Sequence, residues 1–174
     1  MKLLLVLIFL SFFSLLIFDS RADLEFTNKN TVDSTEILNQ INNGDKVIIY
    51  DNIIINNNIS LGSNLKGRKC VNSMIIISNA VINGSANFDN ICFTKPIILK
   101  NTTFVKDVYF QNSSFLGGAY FHDAHFSKSA FFNKASFAGN VDFLNSSFFG
   151  EAHFHDAYFK KSASFNKTSF ADVD

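Results

Sequence analysis

From residue 88 to residue 170 a large apolar side chain returns at intervals of five and six residues in strict alternation. It falls at Phe88, Phe93, Leu99, Phe104, Phe110, Phe115, Phe121, Phe126, Phe132, Phe137, Phe143, Phe148, Phe154, Phe159, Phe165 and Phe170, so fifteen of the chain's 22 Phe belong to one pattern. Two residues before each stands a small or β-branched residue, as at Ala119, Ala124, Val141 and Ser146. Such spacings place successive Phe about 140–240° apart around a helix, which leaves no apolar face. Short extended segments accommodate them: Phe and the residue two before it point inward, and their neighbours point out. A unit this short buries its Phe only by stacking on copies of itself, so the pattern predicts a solenoid.

The gaps come in two kinds. Every glycine after residue 80 (Gly84, Gly117, Gly118, Gly139, Gly150) and the single proline, Pro96, lie in long gaps. The short gaps carry Asn90, Asn101, Asn112, Asp123, Lys134, Asn145, Asp156 and Lys167 as their second residue. The glycines are expected to supply positive φ where the extra residue is absorbed, and Asn or Asp to suit a tight corner. Two alternating corner types make eleven residues half a turn and 22 a full, four-sided coil. Residues 117–138 and 150–171 match at 16 of 22 positions, an internal duplication by three half-coils.

The unit A-x-F-x-x, seen as AYFHD at 119–123, AHFSK at 124–128 and ASFAG at 135–139, resembles the pentapeptide-repeat family. The resemblance covers 86–172 strongly and 74–85 weakly. It implies an all-β fold, a right-handed, four-sided parallel β-helix with the central Phe or Leu inward. The chain departs from the family's strict five by one inserted residue at every second corner. Some members of the family mimic DNA and bind DNA gyrase with strongly acidic surfaces. Here 15 basic residues balance 15 acidic ones, which argues against that role and against a nucleic-acid partner.

Ahead of the Phe region, stepping back eleven from Phe88 and Phe93 reaches Ile77 and Ile82. Residues 46–85 therefore read as less regular, Ile/Asn-rich coils with a loop at 62–69, and 86–174 as the regular β-helix. Asp33-Ser34-Thr35-Glu36 has the form of a capping box, Ile37, Leu38 and Ile41 follow at helical spacing, and Asn43-Gly44 offers a left-handed stop. This predicts a short helix at 33–43, within an N-terminal segment 23–45, that covers the open end of the solenoid. Residues 1–22 read as a signal peptide: Lys2, an apolar run over 3–18 broken only by two Ser, then Ser20 and Ala22 at the cleavage positions. A run of that length spans roughly 24 Å of helix against a ~30 Å hydrocarbon core, which favours cleavage before Asp23 over a retained anchor. No later segment is apolar enough to span a membrane, so the expected location is secreted or at the cell envelope or surface.

Chemistry-bearing residues are sparse. His122, His125, His153 and His155 invite a metal reading, but at most two outward His share a strand, and no third ligand is in view. Asp123, Asp142, Glu151 and Asp156 fall on different columns of a 22-residue coil, and nothing resembles a nucleophile with its base, so no catalytic group and no cofactor is expected. Cys70 and Cys92 are 22 residues apart, each one before an inward residue, Val71 and Phe93. They should stand on adjacent rungs within reach of a disulfide, with two free thiols as the alternative. Asn101, Asn112 and Asn145 are sequons on exposed corners, candidates for glycosylation. Tyr109, Phe131 and His153, spaced by 22, should stack up one outer face with His155 one column over, offering an aromatic stripe to a protein or glycan partner. The expected function is a non-enzymatic, exported β-solenoid serving as a structural or interaction module. Its expected self-association is a homodimer through the C-terminal coils.

Overall fold

The structure is a computed structural model that describes residues 30–62 and 70–171. The signal segment read at 1–22, and all but Gly62 of the loop read at 62–69, lie outside the described residues. What the Phe spacing predicts is what the chain forms: a parallel, four-sided β-solenoid whose strands are mostly two residues long.

Each coil visits four faces in turn. Face one stacks Val47–Asp51, Met74–Ser78, Ile97–Ile98, Ala119–Tyr120, Val141–Asp142 and Ala163–Ser164. Face two begins with Asn30–Thr31 and Ile53–Ile55 and runs through five further strands to Ser169–Phe170. Face three runs from Ile59–Ser60 to Ala152–His153, and face four from Cys70–Val71 to Tyr158–Phe159. From Met74 onward partners differ by 22 residues, as Ile97 with Ala119 and Phe115 with Phe137 show. On faces one to three the first coil pairs at an offset of 27 instead, as Val47 does with Met74, because five extra residues enter between Leu61 and Val71.

The core is built from rings stacked on rings. Phe110, Phe132 and Phe154 lie 5.1 and 4.9 Å apart with planes within 9° of parallel. Phe121 and Phe143 (4.7 Å) and Phe126 and Phe148 (4.5 Å) do the same on faces one and two. Rings from opposed faces meet edge-on, as Phe132 does with Phe121 and Phe143 at 5.8 and 5.5 Å. Both geometries suit the ring quadrupole. The hydroxyls that share this interior are satisfied: Ser113 Oγ donates to the Phe88 carbonyl and Ser146 Oγ to that of Phe121, one coil back.

The two corner types work by different physics from the one expected, and here a correction is needed. Positive φ belongs to the short corners: Asn52, Asn79, Asn90, Asn101, Asn112, Asp123, Lys134, Asn145, Asp156 and Lys167 all lie at φ 48–60°. Among the described glycines only Gly44 has positive φ. Gly84, Gly117, Gly139 and Gly150 are required by close approach to backbone instead, while Gly118 lies against the Tyr120 ring. A Cβ on Gly139 would run into the Gly117 carbonyl of the preceding coil, and one on Gly150 into the Lys128 backbone. Short-corner side chains also bond along the axis, Asn101 Nδ2 to Asn79 Oδ1 (2.8 Å) and Asn145 Nδ2 to Asp123 Oδ1 (2.7 Å).

The helix α1 (Ser34–Asn43) caps the N-terminal end. Asp33 is its N-cap, accepting from the Thr35 amide at 2.8 Å, and Glu36 completes the capping box. Gly44, at φ 81°, ends it in the left-handed conformation. Ile37, Leu38 and Ile41 are buried over the first coils. Beneath them lies an apolar cavity of about 10 Å³ bounded by Ile59, Ile75, Ile77 and Phe88 among others. Among the described residues no helix is long and apolar enough to cross a membrane.

Candidate interaction faces

The stripe read from the 22-residue spacing is present on face three. Tyr109 pairs in register with Phe131, and Phe131 with His153. Their rings stack at 5.0 and 4.7 Å with planes 5° and 3° from parallel. Asp107 and Glu151 flank the stack: the Tyr109 hydroxyl donates to Asp107 Oδ2 (3.3 Å), and His153 Nε2 lies 2.8 Å from Glu151 Oε2. Burial, then Asp107, pushes the Tyr109 phenol above its usual range. His155 sits beyond the stack beside Asp156, and its amide donates to Asn133 Oδ1.

This geometry limits what the stripe can offer. Rings stacked along the axis cover one another's faces and turn their edges outward. Phe131 is sandwiched on both sides, so no sugar ring can lie flat on it. What remains is a rigid row of ring edges bordered by carboxylates and amides.

A second surface, missed in the sequence, lies on the N-terminal half of face one. Ile49, Ile76, Ile98 and Tyr120 are register partners pointing outward, continued by Asp142 and Ser164. Val47 and Ile49 are 52% and 63% exposed. The signal was legible: Ile76, Ile98 and Tyr120 recur by 22 one residue before inward positions. It was hidden because β-branched runs such as MIII at 74–77 do not announce which side chains face out. Near the far end of this face His122 Nε2 meets Asp142 Oδ2 at 2.7 Å, with Tyr120 edge-on to the His122 ring.

Cys70 and Cys92 are register partners on face four, as the spacing predicts, and both thiols are free. Asn101, Asn112 and Asn145 lie exposed at positive-φ corners, Asn101 and Asn145 on one edge of the solenoid and Asn112 on the opposite one. The four His are spread over both sides of the solenoid, and among the described residues no three His, Cys, Asp or Glu converge as metal ligands would.

No curated protein and no solved structure matches the chain. A family model described as pentapeptide repeats (9 copies) does, over residues 77–135, 110–157 and 123–169, which together cover 77–169. These matched segments span more than half of the sequence and coincide with the stacked coils, so the chain belongs to the pentapeptide-repeat family.

Proposed function

We propose that this protein is a non-enzymatic, exported β-solenoid that serves as a structural or interaction module at the cell envelope or surface. A pentapeptide-repeat solenoid supports a structural or interaction role in general terms. The observation that favours the interaction form is the row of Tyr109, Phe131 and His153, locked ring on ring outside the core. A side-chain row that is already ordered loses little entropy when a partner covers it. Export is supported by Lys2, the apolar run over 3–18 and the small residues Ser20 and Ala22.

Fractionation of cells producing a C-terminally tagged chain tests the reading. Recovery outside the cytosol, with the mass of a chain starting at Asp23, is expected; an intact cytosolic product refutes it. The same reading includes a homodimer through the C-terminal coils, where Tyr158 and Phe170 are exposed and the outermost described strands are paired on one side only. Sedimentation over micromolar concentrations should show it, and a monomer throughout would remove it.

A further inference from the structure

The cysteines stand apart from both surfaces above. Cys70 and Cys92 occupy equivalent positions on the first two rungs of face four and pair in register, followed in the same column by Ser114 and Ser136. Strands paired this way lie about 4.8 Å apart, inside the roughly 4.4–6.8 Å Cα separation that a disulfide accepts. Cys70 is exposed and Cys92 half-buried. Burial first, and then Cys70, pushes the Cys92 thiol up to about 11.

Their place in the fold gives the pair a purpose. Among the described residues Cys70–Val71 is the outermost strand of face four, paired on one side only. It also follows the one interruption of the coil, since Leu61 and Val71 are ten residues apart where other short corners use five. The link into this rung is therefore the longest on the face, and a covalent bond to the next rung would offset its greater loop-closure entropy.

We propose that Cys70 and Cys92 form a redox pair that closes to an intrachain disulfide and clamps the first rung of face four to the second. The exposed Cys70, as thiolate, attacks a sulfur of a small disulfide oxidant such as oxidised glutathione. Its S–S bond breaks, and one glutathione thiolate leaves and takes up a proton. Cys92 then gives its proton to solvent and attacks the Cys70 sulfur of the mixed disulfide, expelling the second glutathione. Two thiols have lost two electrons and two protons, one S–S bond has formed, and the oxidant has been reduced to two thiols. The free thiols of the structure are the reduced arm of this couple. The chemistry is independent of the export reading, since any compartment or buffer holding the oxidant closes the bond.

The test equilibrates the purified protein with oxidised glutathione, denatures it without reductant and alkylates it. No labelled thiol on a monomeric chain is expected, with slower exchange of the Thr94 amide, which donates to the Val71 carbonyl across the clamp. Two labelled thiols, a lasting glutathione adduct on Cys70, or disulfide-linked dimers would overturn the proposal. The double variant C70S/S114C moves the pair one rung along the same column, where Cys92 and residue 114 are also register partners. It should close as well; failure there while the native pair closes would overturn the register argument.

Discussion

Replacing Phe132 by Ala probes the ring stack where it is most complete. Phe132 is 0% exposed, stacked on Phe110 and Phe154 and edge-on to Phe121 and Phe143. Losing the transfer of a fully buried Phe costs about 2.5 kcal/mol. The fixed backbone of the coils above and below prevents collapse, so an unrelaxed void of roughly 80–100 Å³ adds ~2 kcal/mol at ~24 cal/mol per Å³. The expected loss is ~4–5 kcal/mol, and Phe143→Ala should cost about the same. Phe170 is the contrast: 49% exposed, stacked on Phe148 and tilted against Phe165, it leaves no enclosed void, and Phe170→Ala should cost about 1 kcal/mol. Phe132→Leu should stay near 1–1.5 kcal/mol, since Leu99 already fills an inward Phe position and is buried there. Urea unfolding followed by far-UV circular dichroism reads all of these as shifts in midpoint at constant slope. Equal losses for Phe132→Ala and Phe170→Ala, or a loss under 1 kcal/mol for Phe132→Ala, would refute the stacked-core reasoning.

Other expectations follow from the corners and the carboxylates. Lys134→Gly, at φ 58°, should stabilise by roughly 0.5–1 kcal/mol, whereas Gly139→Ala should destabilise because its new Cβ meets the Gly117 carbonyl; opposite signs in the same urea assay check this. Burial raises the Asp89 pKa above the usual 3.8, against the opposing pull of the Gln111 amide. The folded state therefore holds that proton more tightly, and the stability tied to Asp89 is complete below 3.8 and lost as pH rises through the folded value. Against Asp89→Asn, the native chain should lose ground over that window and nowhere else. Asp33 has the other sign: hydrogen bonds from the Thr35 hydroxyl, the Thr35 amide and Asn57 lower its pKa, so its helix-capping contribution is present above 3.8 and lost as pH falls through the lower folded value. A thermal scan across acidic pH on Asp33→Ala, which should lack that dependence, checks it.

The Phe positions made the coil legible because an inward ring on a two-residue strand leaves no freedom in the period. The capping helix was legible from Asp33, Glu36 and Gly44, whose roles are local. The Cys70–Cys92 register came from arithmetic alone, although five residues are inserted immediately before it. Glycine was misread because its two uses, positive φ and close approach, look alike in a sequence. Only the packing of Gly139 against the previous coil separates them. The aromatic stripe was placed correctly, yet its ring orientation depends on side-chain torsions that spacing does not encode. The apolar column of face one was overlooked because Ile serves inside and outside the same strands, and alternation cannot be seen when both faces carry one residue type.

The duplicated segments, 117–138 and 150–171, are offset by 33 residues, one and a half coils of 22. Ala119-Tyr120 on face one therefore has its copy, Ala152-His153, on face three, half a turn around the rod. Lengthening by this step cannot enlarge a patch on its own side. It sets a second, similar patch looking the other way, while a step of 22 would extend a single side. A chain that grows in half-turn steps becomes a spacer with two back-to-back surfaces. The gap between whatever the two surfaces touch is then set by the girth of the coil, and it does not change as rungs are added.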